Sequence, residues 1–140
     1  VPLTPQQDPL ALVAAMTNVL PDALIVPPQP LALPISLPDP NDEHVLAAAI
    51  HGACDVLLTA NLRHFPVDML REIDPPVRPV HPDTFLIELI TARPAEVVPL
   101  IDACRRNLAH PPLAVGDYVA ALDRNGLRRT AQLLGFLLPA

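Results

Sequence analysis

Proline is the feature that most constrains how this chain can fold. The chain has 140 residues, and 20 of them are proline. Because proline lacks an amide N–H and clashes with the preceding helical turn, it ends helices or is confined to their first turn. Seven prolines lie between residues 21 and 40. We therefore predict an extended connector over 21–40, in which only residues 23–26 have the composition of a short strand.

Helical patterns lie on both sides of this connector. Thr4-Pro5 is a typical helix start, and apolar spacing then predicts a helix over 6–20. Asp39 to Asp42 supply capping side chains for an alanine-rich helix over 43–53. Downstream, the same reasoning predicts helices over 67–73, 82–91, 94–109, 115–125 and 127–138.

A short apolar run follows the alanine-rich helix. Residues 55–60 (DVLLTA) form a continuous apolar stretch, which is typical of a parallel strand buried on both faces. A second strand is predicted over 77–80. A helix that leads into such a strand indicates an α/β fold, and the last third of the chain is predicted to be entirely helical.

Composition narrows the classes of protein further. No apolar run approaches the roughly 18 residues that a membrane-spanning helix needs, and aromatic residues make up 3% of the chain, too few for a base-stacking surface. Cys54 and Cys104 are fifty residues apart, which predicts buried, reduced thiols in a cytoplasmic protein. No charged and apolar leader opens the sequence, so a signal peptide is not expected.

Charge is distributed unevenly along the chain. The net charge is −6, and all nine positive residues are arginine. From residue 103 onward five arginines face two acids, which leaves −9 for the first 102 residues. The basic segment either binds phosphates or forms ordinary solvated helix faces.

Two polar residues are expected to converge beside the first strand. Asp42 lies at the start of the alanine-rich helix and Asn61 lies just past the end of the strand. Ligand sites in open α/β sheets lie at the carboxyl ends of strands, and oxygen donors there suit Mg²⁺ or Mn²⁺. The alternatives are that Asp42 is a plain helix cap and that Asn61 only stabilises a turn.

The same region resembles a known family. Residues 37–50 (LPDPNDEHVLAAAI) and 53–66 (ACDVLLTANLRHFP), with HPDTF at 81–85, are similar to the PIN domain, in the branch of toxin–antitoxin ribonucleases. The resemblance extends over about residues 21–138. It implies a parallel sheet flanked by helices, a metal-dependent endoribonuclease that uses Mg²⁺ or Mn²⁺, and an antitoxin partner.

The resemblance also assigns roles to individual residues. Asp42 matches the acid at the start of the central helix, and Asn61 matches a position that is Asp in most PIN domains. Both are predicted to take part in catalysis and metal binding. His64 stands where relatives usually have Asp, and Asp39 is a nearby acid; both are further predicted ligands. The basic segment supplies four predicted RNA contacts, which are Arg105, Arg106, Arg128 and Arg129.

The front of the chain departs from the family pattern. PIN domains open with a strand that carries the first essential Asp, and no such strand precedes residue 4 here. We therefore expect a partial PIN-like domain at 1–92 with a helical extension packed on it at 93–140. A chain of this kind is expected to be inactive alone and to pair with a second copy or with the missing amino-terminal segment. The alternative is a non-catalytic PIN-like interaction or oligomerisation module.

Overall fold

A computed structural model describes residues 9–26, 33–108 and 112–139 of the chain. None of the helices in these three ranges combines the length and the apolar character needed to cross a membrane. The described helices and strands follow one another in this order: α1 (Pro9–Val19), α2 (Glu43–His51), β1 (Val56–Leu58), α3 (Val67–Leu70), β2 (Arg78–Val80), α4 (Pro82–Ala92), α5 (Pro94–Asn107), α6 (Val115–Arg124) and α7 (Arg128–Leu137).

Strands β1 and β2 form a parallel sheet, which confirms the α/β prediction with a helical carboxyl-terminal region. Val56 pairs with Arg78 and Leu58 pairs with Val80. Leu57 is buried, whereas Leu58 is 50% exposed, so the expectation that both faces of β1 are buried is wrong. Among the described residues β1 has β2 as its one neighbouring strand.

The proline-rich connector contains a turn instead of a strand. Pro21–Ala23 form one turn of 3-10 helix, and the following residues are irregular, so the strand expected at 23–26 is not formed. Ile25 instead packs against α2, because a Cβ on Gly52 would lie 2.2 Å from the Ile25 Cδ1 atom. The predicted capping residues Thr4-Pro5, and residues 27–32 of the connector, lie outside the described residues.

Apolar side chains collect in two cores. The first core joins α2, β1 and α3 with the segments between them, and its fully buried members are Leu46 and Leu70. The second core joins α4, α5 and α7 through Ile90, Val97 and Leu134, with side chains of α6 packed against it. The predicted division of the chain after residue 92 stays a prediction.

The second core contains two buried carboxylates, of which Asp83 joins α4 to α7 and Asp102 bonds within α5. Asp83, in the first turn of α4, accepts hydrogen bonds from the backbone N–H groups of Arg129 (3.1 Å) and Thr130 (2.8 Å) at the start of α7. Asp102 of α5 binds the guanidinium groups of Arg105 and Arg106. Each acid thus compensates its burial with hydrogen bonds to the charged form.

The cysteines differ in their environments. Cys54 is half-buried and Cys104 is exposed, and both are free thiols. The prediction of a buried thiol is therefore wrong for Cys104. Its helix, α5, buries Val97, Asp102 and Arg105 instead, and Cys104 lies on the solvent side.

The end of α2 gives a direct stability prediction. The N–H of Cys54 bonds to the Ala49 carbonyl and that of Ala53 to the Ile50 carbonyl, which is the Schellman arrangement. Ala53 occupies its left-handed position, with φ 48°, where a Cβ is unfavourable and glycine is preferred. We expect Ala53→Gly to raise the free energy of unfolding by about 0.5 kcal/mol or more in urea denaturation. A destabilised variant would contradict this description of the helix end.

Candidate metal centre

Three segments bring side chains together beside the carboxyl end of β1. Each segment is held by an apolar residue of the first core. Leu37 (5% exposed) lies two residues before Asp39, and Phe65 (3% exposed) directly follows His64. Leu46 is completely buried and lies four residues after Asp42, so that both are on the same face of α2. The packing of the core therefore fixes the relative positions of the three polar side chains.

The three side chains lie within ligand distance of one another. One potential ligand atom each from Asp39, Asp42 and His64 lies within 4.8 Å of the other two. The Nδ1 of His64 is 2.5 Å from the Asp42 Oδ2 and 3.6 Å from the Asp39 Oδ2. About a third of each side chain is exposed, so the group is accessible from solvent.

Asp42 and Asp39 differ in their capping roles. Asp42 holds the capping position of α2, yet its side chain makes no capping hydrogen bond. Asp39 does act as a cap, because its Oδ1 accepts from the Asn41 N–H at 2.9 Å and from the Asn41 amide at 3.0 Å. The plain-cap alternative thus describes Asp39, while the Asp42 carboxylate is directed at His64.

Asn61 lies close by along the chain. Its N–H donates to the Thr59 Oγ1 at 3.0 Å, and its carbonyl accepts from the His64 N–H at 3.2 Å. The turn is therefore held by the Thr59 hydroxyl and by the backbone. The Asn61 side chain is exposed and makes no capping bond. This leaves its amide oxygen available, and its predicted role in metal binding and catalysis stays a prediction.

The chemistry of the donor set fits a divalent cation. Two carboxylates bring a formal charge of −2, and the imidazole adds a nitrogen ligand. Mg²⁺ prefers a shell made of oxygen atoms, whereas Mn²⁺ and heavier transition ions also accept imidazole. The donor set present here therefore suits Mn²⁺ better than Mg²⁺. Binding of an ion to both the Asp42 carboxylate and the His64 Nδ1 would replace the hydrogen bond that now joins these two groups.

The four predicted RNA-binding arginines have different environments. Arg105 is buried and bonds to the Asp102 carboxylate and to the Leu113 carbonyl. Its guanidinium group joins α5 to the segment that precedes α6. Arg106 pairs with Asp102 but is 59% exposed in its side chain. Arg128 and Arg129 are exposed, although the negative charge of Asp83 lies beside the backbone of Arg129.

The carboxyl groups of Asp83 and Asp102 both have pKa values below the ordinary value. For Asp83, burial by itself opposes ionisation, but the hydrogen bonds from Thr130 and from the Arg129 N–H outweigh it and hold the pKa below its ordinary value. For Asp102, the hydrogen bond from Arg105 is the main cause of a lowered pKa, with Arg106 contributing. No local sequence signal indicates the contact between Asp83 and α7, since the acid and its partners are 46 and 47 residues apart.

Comparison with known proteins finds a similarity in the carboxyl-terminal helices. The model of the family described as the VapC50 C-terminal domain matches residues 82–135. Residues 82–135 are therefore similar to that family. The match starts at the first residue of α4 and ends within α7, so the VapC50-type domain corresponds to the helices around the second core.

A curated relative agrees with this assignment. The putative ribonuclease VapC50 of Mycobacterium tuberculosis is 38% identical over 67 residues, which cover 45% of this chain and 38% of the relative. The chain thus spans well under half of the relative's length. No solved structure matches the chain. The resemblance to the PIN and VapC type of protein is confirmed for the carboxyl-terminal part, while Asp39, Asp42 and His64 lie ahead of the matched VapC50-type domain.

Proposed function

We propose that this chain is the carboxyl-terminal part of a PIN-type, divalent-metal-dependent endoribonuclease, the toxin of a toxin–antitoxin pair. The observation that carries the proposal is the convergence of Asp39, Asp42 and His64 at the end of β1. The mycobacterial relative is described as a putative ribonuclease, and this supports RNA cleavage as the proposed reaction. The setting that we propose is the cytoplasm.

In this proposal Asp42 is the central ligand. Its carboxylate makes no capping hydrogen bond to its own helix. His64 and Asp39 complete the group, and the Asn61 amide oxygen adds a neutral donor after β1. A divalent cation bound by these residues would supply positive charge to a phosphodiester and the means to activate water. RNA phosphates are proposed to contact Arg106, Arg128 and Arg129, whereas the buried Arg105 serves the fold.

The alternative function is a non-catalytic interaction module. One observation favours it: the Asp42 carboxylate is 2.5 Å from the imidazole of His64, so two of the groups that would hold a cation already bind each other. In this alternative the antitoxin or a second copy is the natural partner. Cleavage of RNA separates the two functions.

The cleavage experiment uses the pure chain and a labelled single-stranded RNA with Mn²⁺ or Mg²⁺. We expect little or no cleavage by the unmodified chain. Asp39, Asp42 and His64 together offer two carboxylates and one imidazole, and so small a set of ligands holds a divalent ion weakly. Replacing both Asn61 and His64 by Asp exchanges a neutral amide oxygen and an imidazole nitrogen for two carboxylates, which adds negative charge at the site. This variant is expected to bind Mn²⁺ at least tenfold more tightly, because the added carboxylate charges attract the cation at ligand distance.

The outcomes separate the parts of the proposal. EDTA-sensitive cleavage by the unmodified chain that Asp42→Asn abolishes would contradict the expected inactivity and support the ribonuclease function. An Mn²⁺ affinity unchanged in the double variant would contradict the site itself. Asp68→Asn, which alters a fully exposed side chain of α3, is the matched control and is expected to leave the affinity unchanged.

A further inference from the structure

Helices α6 and α7 form a hairpin with an open groove between them. The groove has a volume of about 490 Å³. Small side chains line its floor, among them Ala120, Ala131 and Gly135. A Cβ added to Gly135 would touch nothing within 4 Å, so there is space above this part of α7. The groove therefore allows the close approach of another helix.

One end of the groove is charged and the other is aromatic. Asp123 and Arg128 lie at the turn between the helices, and within the described parts of the chain neither makes an ion pair. Phe136 lies two helical turns after Arg128 and is 89% exposed. A helical side chain leans towards the amino-terminal end of its helix, so the Phe136 ring extends over the groove towards the level of Val119.

We propose that this groove binds the same groove of a second copy of the chain. A twofold axis parallel to the hairpin places α7 of one copy beside α6 of the other, and these two helices run antiparallel. The arrangement is a four-helix bundle. Arg128 then lies beside Asp123 of the second copy, and Phe136 packs against Val119 of the second copy. The twofold axis creates each contact twice.

The charges on the groove favour a second copy over other occupants. An acidic partner would pair with Arg128 and repel Asp123, and a basic partner would do the reverse. RNA would bring phosphates to Asp123 and leave Phe136 in water. The same surface supplies one acid, one base and one apolar anchor, and a copy of itself satisfies all three.

The test is the dissociation constant of the dimer, measured by sedimentation equilibrium on the whole chain. Phe136→Ala is expected to raise this constant about thirtyfold or more, because each dimer loses two aromatic anchors. Arg128→Asp alone and Asp123→Arg alone are each expected to raise it about tenfold, by placing like charges together. The double variant with both exchanges is expected to return to within about threefold of the unmodified chain, since the pair is restored with its sign reversed.

Two variants outside the groove serve as controls. Arg124→Asp changes an exposed charge at the end of α6, and Leu137→Ala removes a partly exposed apolar side chain from α7. Both are expected to leave the constant unchanged within about twofold. A chain that stays monomeric at high concentration overturns the proposal. An oligomer insensitive to Phe136→Ala, or a double exchange as weak as the single ones, overturns it as well.

Discussion

Leu46→Ala is expected to lower the free energy of unfolding by about 3 kcal/mol. Leu46 has no exposed surface and lies in the first core with Leu37, Leu57 and Phe65. Truncation removes buried methyl groups and leaves a cavity that the neighbouring backbone only partly fills, for which costs of 2–5 kcal/mol are typical. Urea denaturation measures the change, which should appear in the midpoint with little change in slope.

The adjacent residue provides the control for this variant. Val45 is on the same helix but is 36% exposed, so Val45→Ala is expected to change stability by less than about 1 kcal/mol. Because Asp42 begins the helix that Leu46 anchors, Leu46→Ala is also expected to weaken metal binding in the folded chain. A loss below about 1 kcal/mol in Leu46→Ala would contradict the core described here.

Asp83→Asn is expected to lower the free energy of unfolding by about 2 kcal/mol at neutral pH. The two carboxylate oxygens of Asp83 accept from two backbone N–H groups at the start of α7. Asparagine can accept one of these hydrogen bonds, while its NH₂ group faces the other donor. Hydrogen bonds to a charged group contribute about 1.5–3 kcal/mol, and an unsatisfied buried donor adds its own cost.

The pH dependence of this effect follows from the lowered pKa of Asp83. A carboxyl group with a lower pKa in the folded state stabilises the fold above its unfolded pKa of about 3.9, and this contribution is lost as the pH falls through the folded pKa. The difference between Asp83→Asn and the unmodified chain should therefore shrink below about pH 5. Asp117→Asn, in the exposed first turn of α6, is the control, and an equally large loss there would contradict the special role of Asp83.

The order and type of most elements could be predicted from the sequence. The apolar run of β1 and the capping residues ahead of α2 and α4 are local signals, and the structure places these elements within a few residues of their predicted positions. The predicted strand at 23–26 was wrong because its apolar residues have no partner strand in the described structure, and Ile25 packs on Gly52 instead.

The candidate site could be predicted only in part. The resemblance named Asp42 and His64 as neighbours of one site, and the structure places them in contact. Their direct pairing, and the use of Asp39 as the local cap, depend on how Leu37 and Phe65 pack in the core, which local spacing does not specify. Arg105 and Arg128 likewise look alike in the sequence. Their environments differ because Arg105 contacts Asp102 and the segment after α5.

Electron paramagnetic resonance can measure the binding of Mn²⁺ to the pure chain. This measurement tests whether Asp39, Asp42 and His64 form a metal centre. We expect saturable binding at one site that Mg²⁺ displaces poorly and that Asp42→Asn weakens at least tenfold. Asp55→Asn removes an equal charge from an exposed position just before β1 and should change the affinity less than twofold. Equal Mn²⁺ binding by Asp42→Asn and the unmodified chain, or no saturable binding in either, would contradict a metal centre at these residues.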